Sequence, residues 1–516
     1  MKKKPFALII RDGWGFNPDS GEDNYNAIKV ANTPVDDMLM AEYPHCLIQT
    51  HGLSAGLPEG TMGNSEVGHQ NIGAGRVVPQ ESVRITNTIR DGSFFQNREF
   101  LKMIDFVKKH NGKIHFMGLC SDIGVHSLLE HLYGLLELAK KNNMSEAYIH
   151  AFTDGRDSPP DSGAGYIERI EAKAKEIGIG KIATVMGRFY AMDRDCRWDR
   201  AQKAYECMRV GKGNKAKSTS ELFAKSYQNK ITDEFIEPTC IVNEDNEPIT
   251  VSDGDGVIFF NFRGDRPREI TRAFVEQDFK EFSRLTMPDL YFVCLTEYDA
   301  TIPTPVAFPK PPKMKNTLGA YWSSLGLKQF RCAETEKYAH ITFFFNDYTE
   351  NPFPGEDRQI VPSPRVRTYD LKPEMSASEV ADVVLQRLES GKYDVIIVNF
   401  ANPDMVGHTG DLSAAVKAAE TVDQCVGRLL DKVKELGGAA IITADHGNFE
   451  KMIDGNPNSP HTAHTIGDVP LIIFDEDLKN AKLREVGTLA DIGPTMLDMM
   501  GLQKPTEMTG VSIIQK

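Results

Sequence analysis

No Cys-x-x-Cys pair occurs in this sequence, although it contains eight cysteines. That removes the usual spacing of thiolate zinc sites and of dithiol redox motifs. Cys120, Cys294 and Cys332 sit inside apolar runs, so the cysteines are expected to be buried, reduced thiols of a cytosolic protein. Long hydrophobic stretches are missing too, since no run approaches the roughly 20 apolar residues of a membrane span. Lys2, Lys3 and Lys4 imitate the start of a signal peptide, but the apolar run behind them stops at Arg11-Asp12, too short for a leader's core. A soluble, cytoplasmic protein with no membrane partner is expected. Positive charge is in deficit as well: 59 Lys and Arg against 73 Asp and Glu give a formal net charge of −14. Nucleic acid is therefore not an expected partner, because nonspecific binding needs a basic footprint. An anionic substrate would need a local cluster of Arg and Lys that overrides the overall field.

What is present is ordinary globular composition, 41% hydrophobic and 26% charged, spread over 516 residues. That length exceeds one typical domain and predicts two large ones. Short β-branched or aromatic runs predict strands at Phe6–Ile10, Ile114–Leu119, Tyr148–Phe152, Ile182–Met186, Val257–Phe262, Tyr291–Leu295, His340–Phe345, Val395–Phe400, Ala439–Thr443 and Leu471–Phe474. Amphipathic stretches predict helices at His126–Lys141, Gly163–Lys175, Ser376–Leu388, Leu412–Leu436 and Leu489–Met500, the third opening with the capping-box pattern Ser376-x-x-Glu379. Alternation of the two kinds predicts an α/β fold with largely parallel sheets. Thr301 to Lys313 carries five prolines and reads as a linker. With a return linker at Gly73 to Gln80, the expected organisation is one discontinuous domain, 1–77 with 313–516, and a second domain, 78–312, inserted into it.

The chemistry-bearing residues follow this division. Asp12 follows the first apolar run, and near the other end come Asp404 with His408, the adjacent pair Asp445-His446, and His464. Asp404 and His408 are four residues apart, so a helical turn would put both on one face, able to grip one ion. Asp445-His446-Gly447 follows the run Ala439–Thr443 directly, where open α/β sheets place their sites. Mixed carboxylate and imidazole ligands without thiolate suit Mn²⁺ or Zn²⁺ better than Ca²⁺. His461 and His464 both flank Thr462-Ala463, and residue chemistry does not separate them. Ser65 stands in Gly63-Asn64-Ser65-Glu66; alone it reads as a helix N-cap, and beside metal ions its hydroxyl could ionise and attack. The middle of the chain supplies positive charge at three strand ends: Arg156 next to Asp157, Arg188 with Arg194, and Arg263 with Arg266. Such guanidinium groups clamp phosphate or carboxylate bidentately, or else make ordinary ion pairs with Asp157, Asp193 and Asp265.

Together these residues resemble the cofactor-independent phosphoglycerate mutases of the alkaline phosphatase superfamily. The similarity runs through Asp12-Gly13-Trp14-Gly15, Met62 to His69, Asn71 to Arg76, Asp154-Gly155-Arg156-Asp157, Met192 to Asp195, Arg197 to Arg200, Glu336 to His340, Asn402 to His408, Thr443 to Asn448 and Thr462 to Thr465. The resemblance implies an alkaline-phosphatase-like layered α/β metal domain with a second α/β substrate-binding transferase domain inserted in it. It implies two divalent metal ions, Mn²⁺ foremost with Zn²⁺ or Co²⁺ as alternatives, and no bisphosphoglycerate. Asp404, His408 and His464 would hold one ion; Asp12, Ser65, Asp445 and His446 would hold the other. Ser65 would carry the phosphoryl group between the 3- and 2-hydroxyls of glycerate, and Asp157 would handle the proton. His126, Arg156, Asp157, Arg188, Arg194, Arg263, Arg266 and Lys337 match positions that hold the small anionic phosphoglycerate. The resemblance also implies a monomer with a mobile transferase domain that excludes water by closing. Arg11, Ile123, Leu128 and Gly264 depart from the common pattern without removing a ligand, so they bear on local packing and metal preference. The alternative activity is that of a metal-dependent phosphomonoesterase of the same superfamily. A non-catalytic relative would show decayed ligands, and none is decayed.

Overall fold

A computed structural model describes residues 4–284, 287–455 and 459–515. Lys2 and Lys3 of the leader-like lysine run lie outside the described residues. The backbone forms two compact units, one made of the residues up to Gln80 with those from Pro312 onward, the other of Glu81–Pro311.

The first unit is built on an eight-stranded sheet in the order Glu356–Val361, Gln329–Glu334, Val395–Phe400, Phe6–Arg11, Ala439–Thr443, Val469–Phe474, His45–Gln49, Val486–Thr488. The first five strands are mutually parallel, whereas Val469–Phe474 runs antiparallel to both its neighbours. Phe6–Arg11, Val395–Phe400 and Ala439–Thr443 are buried at every residue. Continuous apolar sequence is what a parallel strand covered on both faces requires. In register, Phe6 stands opposite both Val395 and Ala439, so these three strands end level. Their carboxyl ends therefore deliver Asp12, Asp404 and Asp445 to one edge.

The second unit has its own eight-stranded sheet, in the order Val306–Phe308, Tyr291–Thr296, Gly256–Phe259, Ile114–Leu119, Ala147–Thr153, Lys181–Gly187, Thr239–Ile241, Asn214–Ala216. All its pairs are parallel except Lys181–Gly187 with Thr239–Ile241. Alternate residues divide between two cores. Ile114 and Phe116 pack with helices Arg98–His110, Leu129–Lys141 and Gly163–Ile177, whereas Met117 and Leu119 pack with Trp198–Val210 and Arg268–Val275. A buried polar chain crosses this sheet: Asp255 Oδ2 to His115 Nε2 at 3.1 Å, His115 Nδ1 to His150 Nε2 at 3.0 Å, and His150 Nδ1 to Thr184 Oγ1 at 2.9 Å.

Several expectations are corrected. His340–Phe345 is no strand: helix Thr335–Ala339 runs on into a π-helical turn, His340–Phe344. Ile341 and Phe345 are both fully buried, four residues apart, which is helical spacing; a short apolar run carries no period that separates the two cases. Ser376 makes no capping box, because its Oγ donates to Pro362 O (2.8 Å) and its N–H to Glu334 Oε1 (2.9 Å). The helix expected from His126 begins at Leu129, since Ser127 Oγ donates back to Leu119 O at 2.5 Å. The strand expected to reach Phe262 ends at Phe259, where Asn261 Oδ1 accepts the Leu119 N–H at 2.9 Å in place of a backbone carbonyl. The Pro-rich stretch is not only linker: Val306–Phe308, between Pro305 and Pro309, pairs with Tyr291–Thr296 as an edge strand, where proline is tolerated. All eight cysteines are unpaired, but Cys196 is exposed because it lies on the loop between Arg188–Ala191 and Trp198–Val210.

Candidate active site

In the first unit the centre is Ser65. Asn64, not Ser65, caps the helix Ser65–Ala74, its Oδ1 accepting the Val67 N–H at 3.0 Å. The expected cap role thus falls to the neighbour, and the Ser65 hydroxyl is left at the first helical position, beside unsatisfied backbone N–H groups. Its Oγ lies 3.1 Å from Asp12 Oδ1, 2.9 Å from His446 Nε2 and 2.7 Å from Lys337 Nζ. Gly68 permits the helix to approach: a Cβ there would lie 2.8 Å from Asp445 Cβ and 3.0 Å from Asp445 O.

Asp404 lies in the helix Asn402–Gly407, which His408 caps, and His408 Nε2 lies 3.2 Å from Asp404 Oδ1. His464 Nε2 reaches the same oxygen at 3.0 Å. His408 Nδ1 faces Thr462 O at 2.7 Å and His464 Nδ1 faces Gly63 O at 2.8 Å. A carbonyl accepts only, so both rings carry their proton on Nδ1 and turn the Nε2 lone pair inward. The two Nε2 atoms are 3.2 Å apart. Two lone pairs and a carboxylate oxygen converging at this range require a positive charge between them, from a proton or a metal ion. The backbone carbonyls behind the rings orient them as they orient metal ligands elsewhere. His461 is excluded from this group, its Nδ1 being held 2.9 Å from Asp454 Oδ1.

Asp404, His446 and His464 offer donor atoms all within 4.8 Å of one another, and so do Asp12, Asp445 and His446. These donors are all nitrogen and oxygen, the kind that hold a divalent ion, and the two groups share His446. Lys337, grouped by the resemblance with the substrate-holding residues, lies among the carboxylates, 2.8 Å from Asp12 Oδ1 and 2.5 Å from Asp404 Oδ2. Burial opposes ionisation of Asp12 and Asp404, but the Lys337 ammonium outweighs it and holds both carboxyls well below the usual range. Burial also disfavours the imidazolium of His446; the carboxylates of Asp445, Asp404 and Asp12 overcome it and push this group up to about 10. Arg11, one of the departures, points away from this cluster, stacking 4.3 Å over the Trp14 ring and pairing with Asp36 at 2.5 Å.

The second unit gathers the remaining residues at its own strand ends. Arg188, buried, donates to Asp154 Oδ1 and Asp157 Oδ2, each at 2.6 Å, while its Nη2 meets His126 Nε2 at 3.1 Å. Burial and then the Arg188 charge keep His126 neutral, at about 4. Burial would raise the Asp157 carboxyl, but the Arg188 hydrogen bond and charge hold it below the usual value. Arg194 and Arg263 share Asp265, at 3.0 and 3.2 Å. Arg266 donates to Met192 O at 2.9 Å and is disfavoured as a cation by burial and then by Arg188, Arg194 and Arg156. Guanidinium groups of this kind are suited to clamp phosphate or carboxylate. Arg156 is turned toward Glu234, at 2.8 Å, and is half exposed. Three departures also lie here: Ile123 is exposed, Leu128 precedes the helix Leu129–Lys141, and Gly264 packs where a Cβ would come 2.9 Å from Tyr298 Cα.

Four buried polar partners were not singled out from sequence: His69, Asn399, Asp154 and Glu450. Asn399 had a visible signal, a lone amide inside the otherwise apolar strand Val395–Phe400. His69 and Asp154 stood inside recognised motifs without an assigned role.

Comparison with known proteins agrees with this arrangement. Residues 85–300 match the family model described as BPG-independent PGAM N-terminus, and residues 322–453 match that of type I phosphodiesterase / nucleotide pyrophosphatase. The 2,3-bisphosphoglycerate-independent phosphoglycerate mutase of Acetivibrio thermocellus is 54% identical over 518 residues, covering 100% of both chains. That of Moorella thermoacetica is 54% identical over 514 residues and 99% of each chain. The crystal structure of Leishmania mexicana phosphoglycerate mutase at low cobalt concentration superposes with a TM-score of 0.61 at 33% identity, covering 99% of this chain and 98% of that one. By its α/β fold, its site chemistry and its full-length similarity, this chain belongs to the 2,3-bisphosphoglycerate-independent phosphoglycerate mutase family.

Proposed function

We propose that this chain interconverts 3-phosphoglycerate and 2-phosphoglycerate by passing the phosphoryl group through Ser65. The observation that carries the reading is the position of Ser65 Oγ, at the start of the helix Ser65–Ala74 and within 3.1 Å of Asp12, His446 and Lys337. Asp404, His408 and His464 would hold one divalent ion and Asp12, Ser65, Asp445 and His446 the other, with Mn²⁺ foremost and Zn²⁺ or Co²⁺ as alternatives. When bound, the ions supply the positive charge that favours an ionised serine oxygen and neutralises a phosphoryl group. Lys337 Nζ, a hydrogen bond from Ser65 Oγ, adds charge aimed at the transferring oxygens. In the second unit, Arg188, Arg194, Arg263, Arg266 and Arg156 would bind the phosphate and carboxylate of the substrate. Each transfer balances one proton: the hydroxyl released from 3-phosphoglycerate takes up the one that Ser65 gives up, and in the return transfer Asp157, ionised at neutral pH, would take the proton of the glycerate hydroxyl that attacks the phosphoserine and pass it on as Ser65 Oγ is freed. The full-length relatives support a mutase over a phosphomonoesterase.

The test is ³¹P NMR of 3-phosphoglycerate incubated with bisphosphoglycerate-free protein, after chelation and return of Mn²⁺, Zn²⁺, Co²⁺ or Mg²⁺ singly. The expected product is 2-phosphoglycerate, most rapidly with Mn²⁺ and not at all in the chelated protein. Ser65→Ala is expected to abolish turnover with an unchanged circular dichroism spectrum. Dominant release of inorganic phosphate, or full activity of Ser65→Ala, would sink the reading.

A further inference from the structure

Asp12 uses its two carboxylate oxygens differently, and the reason lies behind it. Oδ1 faces Ser65 Oγ (3.1 Å) and Lys337 Nζ (2.8 Å). Oδ2 is turned away and accepts a hydrogen bond from Asn399 Nδ2 at 2.7 Å. An ionised carboxylate only accepts, so the Asn399 amide must present its NH₂ group here. The same nitrogen lies 3.0 Å from His69 Nε2, which must then be the acceptor. The His69 proton consequently sits on Nδ1, which faces Ser65 O at 2.8 Å and Asp445 Oδ2 at 3.2 Å. Ser65 is thus gripped at both ends by one closed ring of hydrogen bonds. Its hydroxyl donates to Asp12, Asp12 accepts from Asn399, Asn399 donates to His69, and His69 donates to the Ser65 carbonyl. His69, Asn399, Asp12 and Asp445 are all completely buried, so no water competes for these bonds. Among the described residues the Asn399 Oδ1 atom has no hydrogen-bond partner, so the amide is kept at some cost for what its nitrogen does.

We propose that Asn399 and His69 are positioning residues that make Asp12 present a single oxygen to Ser65 and its metal ion. Without Asn399, Oδ2 is free to swing inward and Asp12 can chelate through both oxygens, displacing Ser65 Oγ from the ion. Asn399 and His69 are not among the residues assigned to hold substrate, so their loss acts on metal affinity and kcat and leaves KM alone. This inference rests on the two-metal, Ser65 reading above.

The experiment uses the full chain and the variants Asn399→Ala, His69→Phe, His69→Asn and the Asn399→Ala/His69→Phe double. Free Mn²⁺ is counted by electron paramagnetic resonance during titration, and kcat and KM are measured separately. Each of the two disruptive single variants is expected to weaken Mn²⁺ binding about 10- to 100-fold, as loss of an outer hydrogen-bond partner does elsewhere. Each is also expected to lower kcat with KM within about twofold of the parent. The double variant should lose little more than the worse single, because either change already opens the ring. His69→Asn keeps a donor toward Ser65 O and should recover part of what His69→Phe loses; this pair decides the matter even if Asn399→Ala fails to fold. Parent-like metal affinity in either disruptive variant, multiplicative losses in the double, or equality of His69→Asn and His69→Phe would overturn the ring. A parent chain that bound no Mn²⁺ and formed no 2-phosphoglycerate would instead bring down the functional reading, and the ring with it.

Discussion

Replacing Arg188 with methionine removes a charge at the centre of the second unit's cluster while keeping most of the side-chain length. The guanidinium is 2% exposed and is the only cation paired with Asp154, itself 1% exposed, among the described ion pairs. Breaking a buried pair by deleting one partner costs about 3–5 kcal/mol, because the other charge stays buried. Asp154 keeps the N–H groups of Arg156 (3.2 Å) and Asp157 (3.1 Å), which places the expected loss at the lower end, about 3 kcal/mol. Asp157 is a quarter exposed and can rehydrate, so it adds little to that figure. Its proton affinity does change. Burial favours its neutral form and Arg188 opposes this, holding the folded-state carboxyl below its ordinary value; that contribution to stability is present above the unfolded pKa and lost as pH falls through the folded one. Without Arg188 the largest influence opposing burial is lost, leaving only His126 and Arg266 against it, and the carboxyl moves up. If Asp157 must be ionised to take a proton, the acid limb of kcat/KM moves to higher pH in Arg188→Met. Urea midpoints at pH 7, parent against variant, and an enolase-coupled pH profile measure both effects. An unshifted acid limb with stability within about 1 kcal/mol of the parent would refute this account of Arg188.

Other outcomes follow from the same reasoning. His131 is buried neutral, burial pushing it down to about 4, so the folded chain binds fewer protons than the unfolded one between that value and the ordinary 6.5. Stability is therefore full above 6.5 and falls as pH drops toward 4, by about 1.4 kcal/mol per pH unit for each such histidine. His131→Gln should flatten the thermal midpoint's decline over that range, and an unchanged slope would contradict the assignment. Gly68→Ala would force a methyl against Asp445, 2.8 Å from its Cβ, so about 1–3 kcal/mol of stability and part of the metal affinity should be lost together in denaturation and Mn²⁺ titrations.

Much of this was legible because the chemistry sits at the ends of strands with simple signatures. Val395–Phe400 and Ala439–Thr443 are predominantly apolar runs, and the structure gives them those same bounds. Asp404 with His408 required only the helical turn that their spacing suggests. Strands with polar interiors stayed hidden. Gln329–Glu334 is buried at every residue, yet carries Gln329, Arg331 and Glu334; Arg331 is accommodated by Ile341 O and Gln329 Oε1, each at 2.8 Å, which no local pattern announces. The edge strand Glu356–Val361 opens with four consecutive polar residues, Glu356 to Gln359. Short pieces such as Asn214–Ala216 and Thr239–Ile241 owe their conformation to neighbours rather than to their own composition. At the site, residue types gave the ligand candidates, but the place of Lys337 among the carboxylates and the ring through His69 and Asn399 are products of side-chain direction, which spacing does not encode.

The central claim is that the phosphoryl group rests on Ser65 during turnover. Its most direct test is rapid acid quenching of the Mn²⁺-loaded chain mixed with 3-phosphoglycerate, followed by proteolysis and mass spectrometry of the peptide containing Ser65. The account predicts a phosphorylated Ser65 that appears before 2-phosphoglycerate, decays when substrate is exhausted, and is absent from Ser65→Ala. Turnover to 2-phosphoglycerate with Ser65 unmodified at every quench time would contradict it.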